Sequence, residues 1–235
     1  MVDAIQNKKE IIMNPYLKKI VWIIFLLPVA YLAITWNTIP DTVPLHYDMK
    51  GDVDKYGSKK ELLLLAGILT LVNILVYFLL SNIYRIDPKK YAAENKDRLH
   101  RLAFAVSIFI SGILCVIIYS TTHPAKGFNM RLVFAGVGLL FCIIGNYMSN
   151  LKPNYFAGFR LPWTLESESN WRKTHHLGGK LWFVGGLVIA IVSLFVSEKK
   201  LYAVFISLTM VITLIPVIYS FIIYREEKRI KSKTK

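Results

Sequence analysis

Six stretches of this chain contain no Asp, Glu, Lys or Arg: residues 20–40, 62–84, 102–125, 132–151, 181–197 and 201–224. Each runs for 17 to 24 residues, and together they hold 129 of the 235 positions. A helix needs about 20 apolar residues to cross roughly 30 Å of hydrocarbon, so the spacing predicts six membrane-spanning helices. With 54% hydrophobic and 19% charged residues, the chain is neither intrinsically disordered nor a secreted disulfide scaffold. The first apolar run is too long for a signal-peptide core, and no small-x-small pair follows it, which predicts an uncleaved first helix. The expected fold is an all-α membrane protein with six transmembrane helices, one structured external loop and one interfacial cytoplasmic loop.

The net charge of +14 would suit nucleic acid, but its distribution suits a membrane better. With the N-terminus inside, the inner segments hold 20 of the 29 Lys and Arg residues and the outer loops 8, with Lys180 at a helix mouth. The positive-inside rule therefore predicts both termini in the cytoplasm of a multi-pass bacterial plasma-membrane protein. The lipid bilayer is the expected partner of these charges, with no direct nucleic acid binding. The chain divides into a cytoplasmic arm at 1–19, a first helix pair with its external loop at 20–84, a four-helix unit at 99–224 and a basic tail at 225–235. That tail should lie against anionic lipid, at up to about 1 kcal/mol per basic residue.

Two connections are longer than the others. In the external one, Pro40 and Pro44 hold the chain extended, Gly51 and Gly57 supply turns, and Val43, Leu45 and Tyr47 alternate as a short strand would. His46 and Asp48 form a pair without a third ligand at recognisable spacing, and Asp52, Asp54 and Gly57 match a calcium loop poorly. No metal and no cofactor is expected. The second connection, residues 150–179, carries Tyr155, Phe156, Phe159, Trp163 and Trp171, rings suited to the headgroup level. Pro162 disfavours helix just before it, Thr164 is the expected N-cap of the following helix, and Glu166 and Glu168 suit its positive end. Trp171 and His175 share a face by i,i+4 spacing. Gly178/Gly179 and Gly185/Gly186 recur seven apart, a small-residue seam for a close neighbour helix.

Gly145-Asn146-Tyr147-Met148, Asn154, Gly158-Phe159-Arg160, Pro162-Trp163-Thr164, Trp171 and Thr174-His175 together resemble the signature of the SdpI family of bacterial membrane proteins. The external residues Pro40, Pro44, His46, Gly51, Asp54 and Gly57-Ser58-Lys59 resemble the domain of unknown function found at the N-terminus of those proteins. The resemblance runs from about residue 20 to residue 195. It implies a six-helix plasma-membrane protein concerned with immunity to an exported toxin, and a cytoplasmic transcriptional repressor as a second partner. The arm at 1–19 and the basic tail have no counterpart in these motifs.

Other chemistries fit less well. All fifteen acidic residues lie outside the charge-free stretches, which weakens ion-coupled transport, since such carriers place an ionisable group at depth. A channel or transporter of an uncharged small solute past Thr70, Asn73, Asn146, Thr209 and Thr213 stays open, although helix-to-helix hydrogen bonding is the simpler role for these residues. Pro216 marks a candidate kink in the last span. Intramembrane proteolysis is disfavoured, because no paired carboxylates lie in a span and His-Glu-x-x-His is absent. Ser107 and Ser111 lack a base in their span, Glu226 and Glu227 balance a basic tail, and Cys115 and Cys142 act as small apolar groups. Arg160, Thr164 and His175 could meet a phosphate, but anchoring the loop is the simpler role. The expectation is therefore a non-enzymatic immunity or sensor protein. Its external site for an extracellular peptide toxin comprises Pro40, Pro44, His46, Asp48, Gly51, Asp54 and Lys59. Its interfacial site comprises Asn146, Asn154, Gly158, Arg160, Pro162, Trp163, Thr164, Trp171 and His175. A structural membrane protein of unassigned role is the remaining alternative.

Overall fold

A computed structural model describes residues 15–48, 52–123 and 127–233. Its helices are α1 (Pro15–Thr35), α2 (Lys59–Asn82), α3 (Lys96–Thr122), α4 (Met130–Met148), the single-turn α5 (Pro162–Glu166), α6 (Glu168–Phe195) and α7 (Glu198–Lys233). All but α5 are long and apolar enough to cross a membrane, with mean hydropathy between 1.7 and 2.6 over their best windows. The six expected spans are therefore present, and this is a multi-pass membrane protein. Their outer faces remain apolar and exposed, as at Ile23, Leu64, Leu75, Ile191 and Leu214, because lipid rather than protein is the neighbour there.

The connection between α1 and α2 is an antiparallel hairpin, β1 (Thr42–Tyr47) and β2 (Val53–Ser58), with Thr42 opposite Ser58 and Tyr47 opposite Val53. The expected strand at residues 43–47 is thus half of a two-stranded sheet, with pairing irregularities on either side of His46. Ser58 closes the hairpin and starts α2 at once. Its hydroxyl accepts from the Glu61 N–H at 3.3 Å, and the Glu61 carboxylate accepts from the Ser58 N–H at 2.5 Å, a reciprocal cap.

The first three helices pack around two apolar clusters. At the hairpin end Leu32, Ile39, Val43, Leu62, Ala66, Leu114 and Ile118 are buried together, and towards the opposite end Val21, Phe25, Tyr77 and Ala103. Between them lies a polar tie. The Asn73 amide donates to the Ser107 carbonyl at 3.2 Å and to the Ser111 hydroxyl at 3.0 Å, and Ser111 in turn donates to the Ile24 carbonyl at 2.9 Å. In hydrocarbon such groups must find partners within the protein. Asn73 therefore plays the expected helix-to-helix role, whereas Asn146 is exposed on α4 and the Thr70 and Thr209 hydroxyls have no hydrogen-bond partner among the described residues.

The second half is organised by glycine. An added Cβ at Gly186 would lie 2.5 Å from the Gly138 carbonyl oxygen, and one at Gly179 2.7 Å from that of Gly145. Gly138 and Gly145 on α4 thus mesh with Gly179 and Gly186 on α6, in antiparallel sense and at backbone contact. The other two glycines of the predicted seam face elsewhere, Gly178 towards the Phe159 ring and Gly185 towards Ile212 on α7. Pro216 lies inside α7, which stays helical past it and continues through the basic segment to Lys233.

Backbone contact at Gly186 leaves no room for a methyl group, whereas Gly67 on α2 meets nothing within 4 Å. Gly186→Ala should therefore cost about 1–3 kcal/mol of stability, and Gly67→Ala should cost nothing. Reversible unfolding of both variants in mixed micelles measures the contrast.

Candidate functional site

Between α4 and α6 the chain leaves the bundle and folds back as a compact knot. Asn154, almost fully buried, sets its first turn. Its carbonyl oxygen accepts from the Phe156 and Ala157 N–H groups at 2.9 and 2.7 Å, and its amide donates to the Lys152 carbonyl at 3.0 Å. Gly158 follows at φ +97°. A side chain there would be strained by the backbone and would also run into the His175 ring, so the position needs glycine twice over.

His175 is fully buried and both of its ring nitrogens are committed. Nδ1 lies 2.8 Å from the Trp171 carbonyl, which can only accept, and Nε2 lies 2.9 Å from the Phe159 backbone N–H, which can only donate. The ring is therefore the neutral Nδ1–H tautomer. It stacks on the Trp171 indole with centroids 3.9 Å apart, and the Phe159 ring meets it edge-on. Trp171, equally buried, donates its indole N–H to the Leu151 carbonyl at 2.8 Å. The i,i+4 pair read from the sequence thus pins both ends of the knot to α6.

Thr164 does not cap the long helix, as the sequence suggests it would. Leu161 precedes α5, Pro162 opens it, and Thr164 sits one turn in, with its hydroxyl accepting from the Leu161 N–H at 3.0 Å and donating to the Phe159 carbonyl at 2.7 Å. The true cap of α6 is Ser167, which accepts from the Asn170 N–H at 3.1 Å and donates to Glu227 on α7 at 3.0 Å. The chain breaks at Ser167 because α5 must turn outward to dock on α7. There Trp163 donates to the Ser220 hydroxyl at 3.0 Å and stacks near Tyr224, and Asn170 donates to the Ser220 carbonyl at 2.9 Å.

Residues the sequence reading passed over complete this end. The Asn95 amide exchanges hydrogen bonds with the Lys152 backbone at 3.0 and 3.1 Å, Asp87 accepts from the Tyr155 N–H at 3.1 Å, and Lys89 donates to the Leu165 carbonyl at 2.8 Å. The connection between α2 and α3 is therefore a strap across the knot. Nothing local in the sequence marks Asn95 or Asp87 for this, because their partners lie 57 and 68 positions away. Asn154, Thr164, Trp171 and His175 are buried and build the platform, while Arg160 and Pro162 are exposed and Trp163 is half-buried. Arg160 donates to the Tyr155 carbonyl at 2.8 Å. Asn146 is not part of the cluster.

At the other end His46 pairs across the hairpin with Asp54, at 2.6 Å, and both side chains are exposed. Asp48 accepts from the Asp52 N–H at 2.9 Å. Gly51 lies outside the described residues. Pro40 is exposed and Pro44 buried. Lys59 donates to the Ile39 carbonyl at 3.2 Å and sits 4.5 Å from the centre of the Trp36 ring, tying the start of α2 to the segment that follows α1. Tyr47 stacks on Phe128 and donates to the Ser120 hydroxyl at 3.0 Å, since that hydroxyl spends its own proton on the Ile117 carbonyl. Burial pushes the Tyr47 phenol above its usual range.

Comparison with known proteins agrees with both motifs. Residues 150–220 match the model of the SdpI/YfhL protein family, and residues 23–70 that of a domain of unknown function, DUF1648. Over 187 residues the chain is 25% identical to the protein named Immunity protein SdpI of Bacillus subtilis, an alignment covering 77% of this chain and 84% of that protein. Over 93 residues it is 31% identical to an uncharacterized protein of Archaeoglobus fulgidus, covering 36% of this chain and 51% of the other. No solved structure matches the chain. The resemblance to the SdpI family read from the two loops is thereby borne out.

The knot hangs on one hydroxyl. Thr164→Val keeps the shape but strands the Leu161 N–H and removes a donor to Phe159. The expected cost is about 1–3 kcal/mol, with Thr164→Ser close to wild type. Hydrogen exchange at residues 153–161 should quicken in the valine variant and hold steady in the serine one.

Proposed function

We propose that this chain, with its SdpI/YfhL-like segment and the N-terminal domain that accompanies it, is a membrane immunity protein acting against an exported peptide toxin. The observation that carries the reading is the alignment with Immunity protein SdpI, which spans both halves of the molecule. The arrangement of the two ends supports it. The hairpin is braced from α3 and from the segment after α1 yet leaves the His46–Asp54 pair open to solvent, as a surface for a peptide ligand requires. The charge bias favours the hairpin facing outward, the termini facing the cytoplasm and the plasma membrane as location. The first helix pair, 20–84, then carries the toxin-facing surface, and the four-helix unit, 99–224, carries the knot. On the inner side Arg160, Pro162 and Trp163 form the exposed edge of a rigid platform, suited to a cytoplasmic partner such as a transcriptional repressor. The role is one of recognition rather than catalysis.

Survival decides the matter. A toxin-sensitive bacterium expressing the chain should withstand a membrane-active peptide toxin that kills the empty-vector strain. His46→Ala or Asp54→Ala should weaken protection about tenfold, the scale of one charge-assisted hydrogen bond, while membrane levels of the protein stay unchanged. Equal killing with and without the chain across a panel of such toxins would remove the immunity reading.

A further inference from the structure

A cavity of about 740 Å³ opens beside the knot, at the end of the bundle away from the hairpin. Its wall combines Arg98 from α3, Lys152 from the knot, and Arg172, Lys173 and His176 from α6, together with Trp171 and Ser149–Pro153. Four cationic side chains from three separate segments thus converge on one space, and Glu168 is the single carboxylate among the lining residues. Glu94 reaches Lys152 only at 4.0 Å, and Glu168 accepts a long 3.4 Å bond from Tyr91. Among the described residues neither Arg172 nor Lys173 has an ion-pair partner, and Arg98 gives one N–H to the Glu94 carbonyl and keeps the rest of its fork. Holding like charges together costs energy, and a dianionic or monoanionic ligand would relieve it.

The depth of the cavity narrows the chemistry. Its lining residues, Tyr91 and Arg98, Ser149 to Pro153, and the first turns of α6 from Glu168 to His176, lie where the charge-free stretches 102–125, 132–151 and 181–197 meet the polar ends of the helices. That is the level of phospholipid headgroups. Guanidinium forks match phosphate oxygens in a bidentate fashion, and a lysine adds a point charge. From these observations we propose that the cavity between α3, the knot and α6 is a binding site for a phosphate-bearing anion, in the bilayer the headgroup of an acidic phospholipid. Occupancy would tie the strap, the knot and α6 together through one ligand. The site is separate from the hairpin surface and stands whether or not the immunity reading does.

The test uses the full chain in maltoside micelles, titrated with short-chain phosphatidylglycerol, short-chain phosphatidylcholine and, in its own arm, inorganic phosphate. Saturable binding of phosphatidylglycerol about tenfold tighter than phosphatidylcholine is expected. The triple variant Arg98→Gln, Arg172→Gln, Lys173→Gln should lose about tenfold or more in that affinity. Removing three exposed cations at the hairpin end instead, by Lys55→Gln, Lys60→Gln and Lys200→Gln, should leave it unchanged. Glu168→Gln should tighten binding, a gain that misfolding cannot produce. Inorganic phosphate binding with the same residue dependence supports the site and assigns it to a soluble phosphate, whereas phosphatidylglycerol binding without it assigns the lipid. Equal affinity for the two lipids, equal losses in the cavity and hairpin-end variants, or no gain in Glu168→Gln overturns the proposal.

Discussion

The contact on which the second half of the molecule depends is the backbone approach of α4 to α6. With Gly138 and Gly145 set against Gly179 and Gly186, the two helices touch through main chain rather than side chain. In lipid there is no hydrophobic force to press helices together, so close packing and short-range attraction must do it. The seam ends where Ser149 meets Gly179, and the knot begins there. Because α6 is held so close, Trp171 and His175 one to two turns earlier point straight at the returning chain, and the Phe159 N–H finds an acceptor. A looser helix pair would leave those buried polar groups unpaired, at a cost of about 1–3 kcal/mol each.

The two ends of the bundle solve the same problem differently. At the hairpin end the strands satisfy each other's backbone, the Ser58–Glu61 cap starts α2, and Lys59 and Tyr47 brace the sheet from below. Its polar pair, His46 and Asp54, is left outside. At the opposite end an irregular backbone is satisfied by side chains turned inward: Asn95, Asn154, Thr164, Asn170 and His175. The first arrangement offers chemistry to solvent, and the second spends its polar residues on shape and keeps only an edge and a basic cavity at the surface. That division accounts for the length of the knot motif and the brevity of the hairpin motif.

Much of this was legible because it is local. Six charge-free runs announce six helices, since the cost of burying a charge in hydrocarbon does not depend on the rest of the fold. The i,i+4 pairing of Trp171 with His175 and the seven-residue glycine spacing are properties of a single helix. Thr164 misled for an equally physical reason. A threonine after a proline fits an N-cap, but α5 needed to reach Ser220, and the cap passed to Ser167. The pairing of His46 with Asp54 was not legible for a different reason: it exists only once the two strands align.

The amino-acid sequence by itself determined the number of spans, the charge asymmetry of their ends and the residue types of both loops. Each of these follows from the solvation or backbone preference of residues near one another in the chain. Only the tertiary structure decided which glycines meet which helix, that Asn95 and Asp87 clasp the knot, and that four cations share one cavity. Those outcomes join residues dozens of positions apart, and their energies exist only once helix packing has brought the backbones to within a few ångströms.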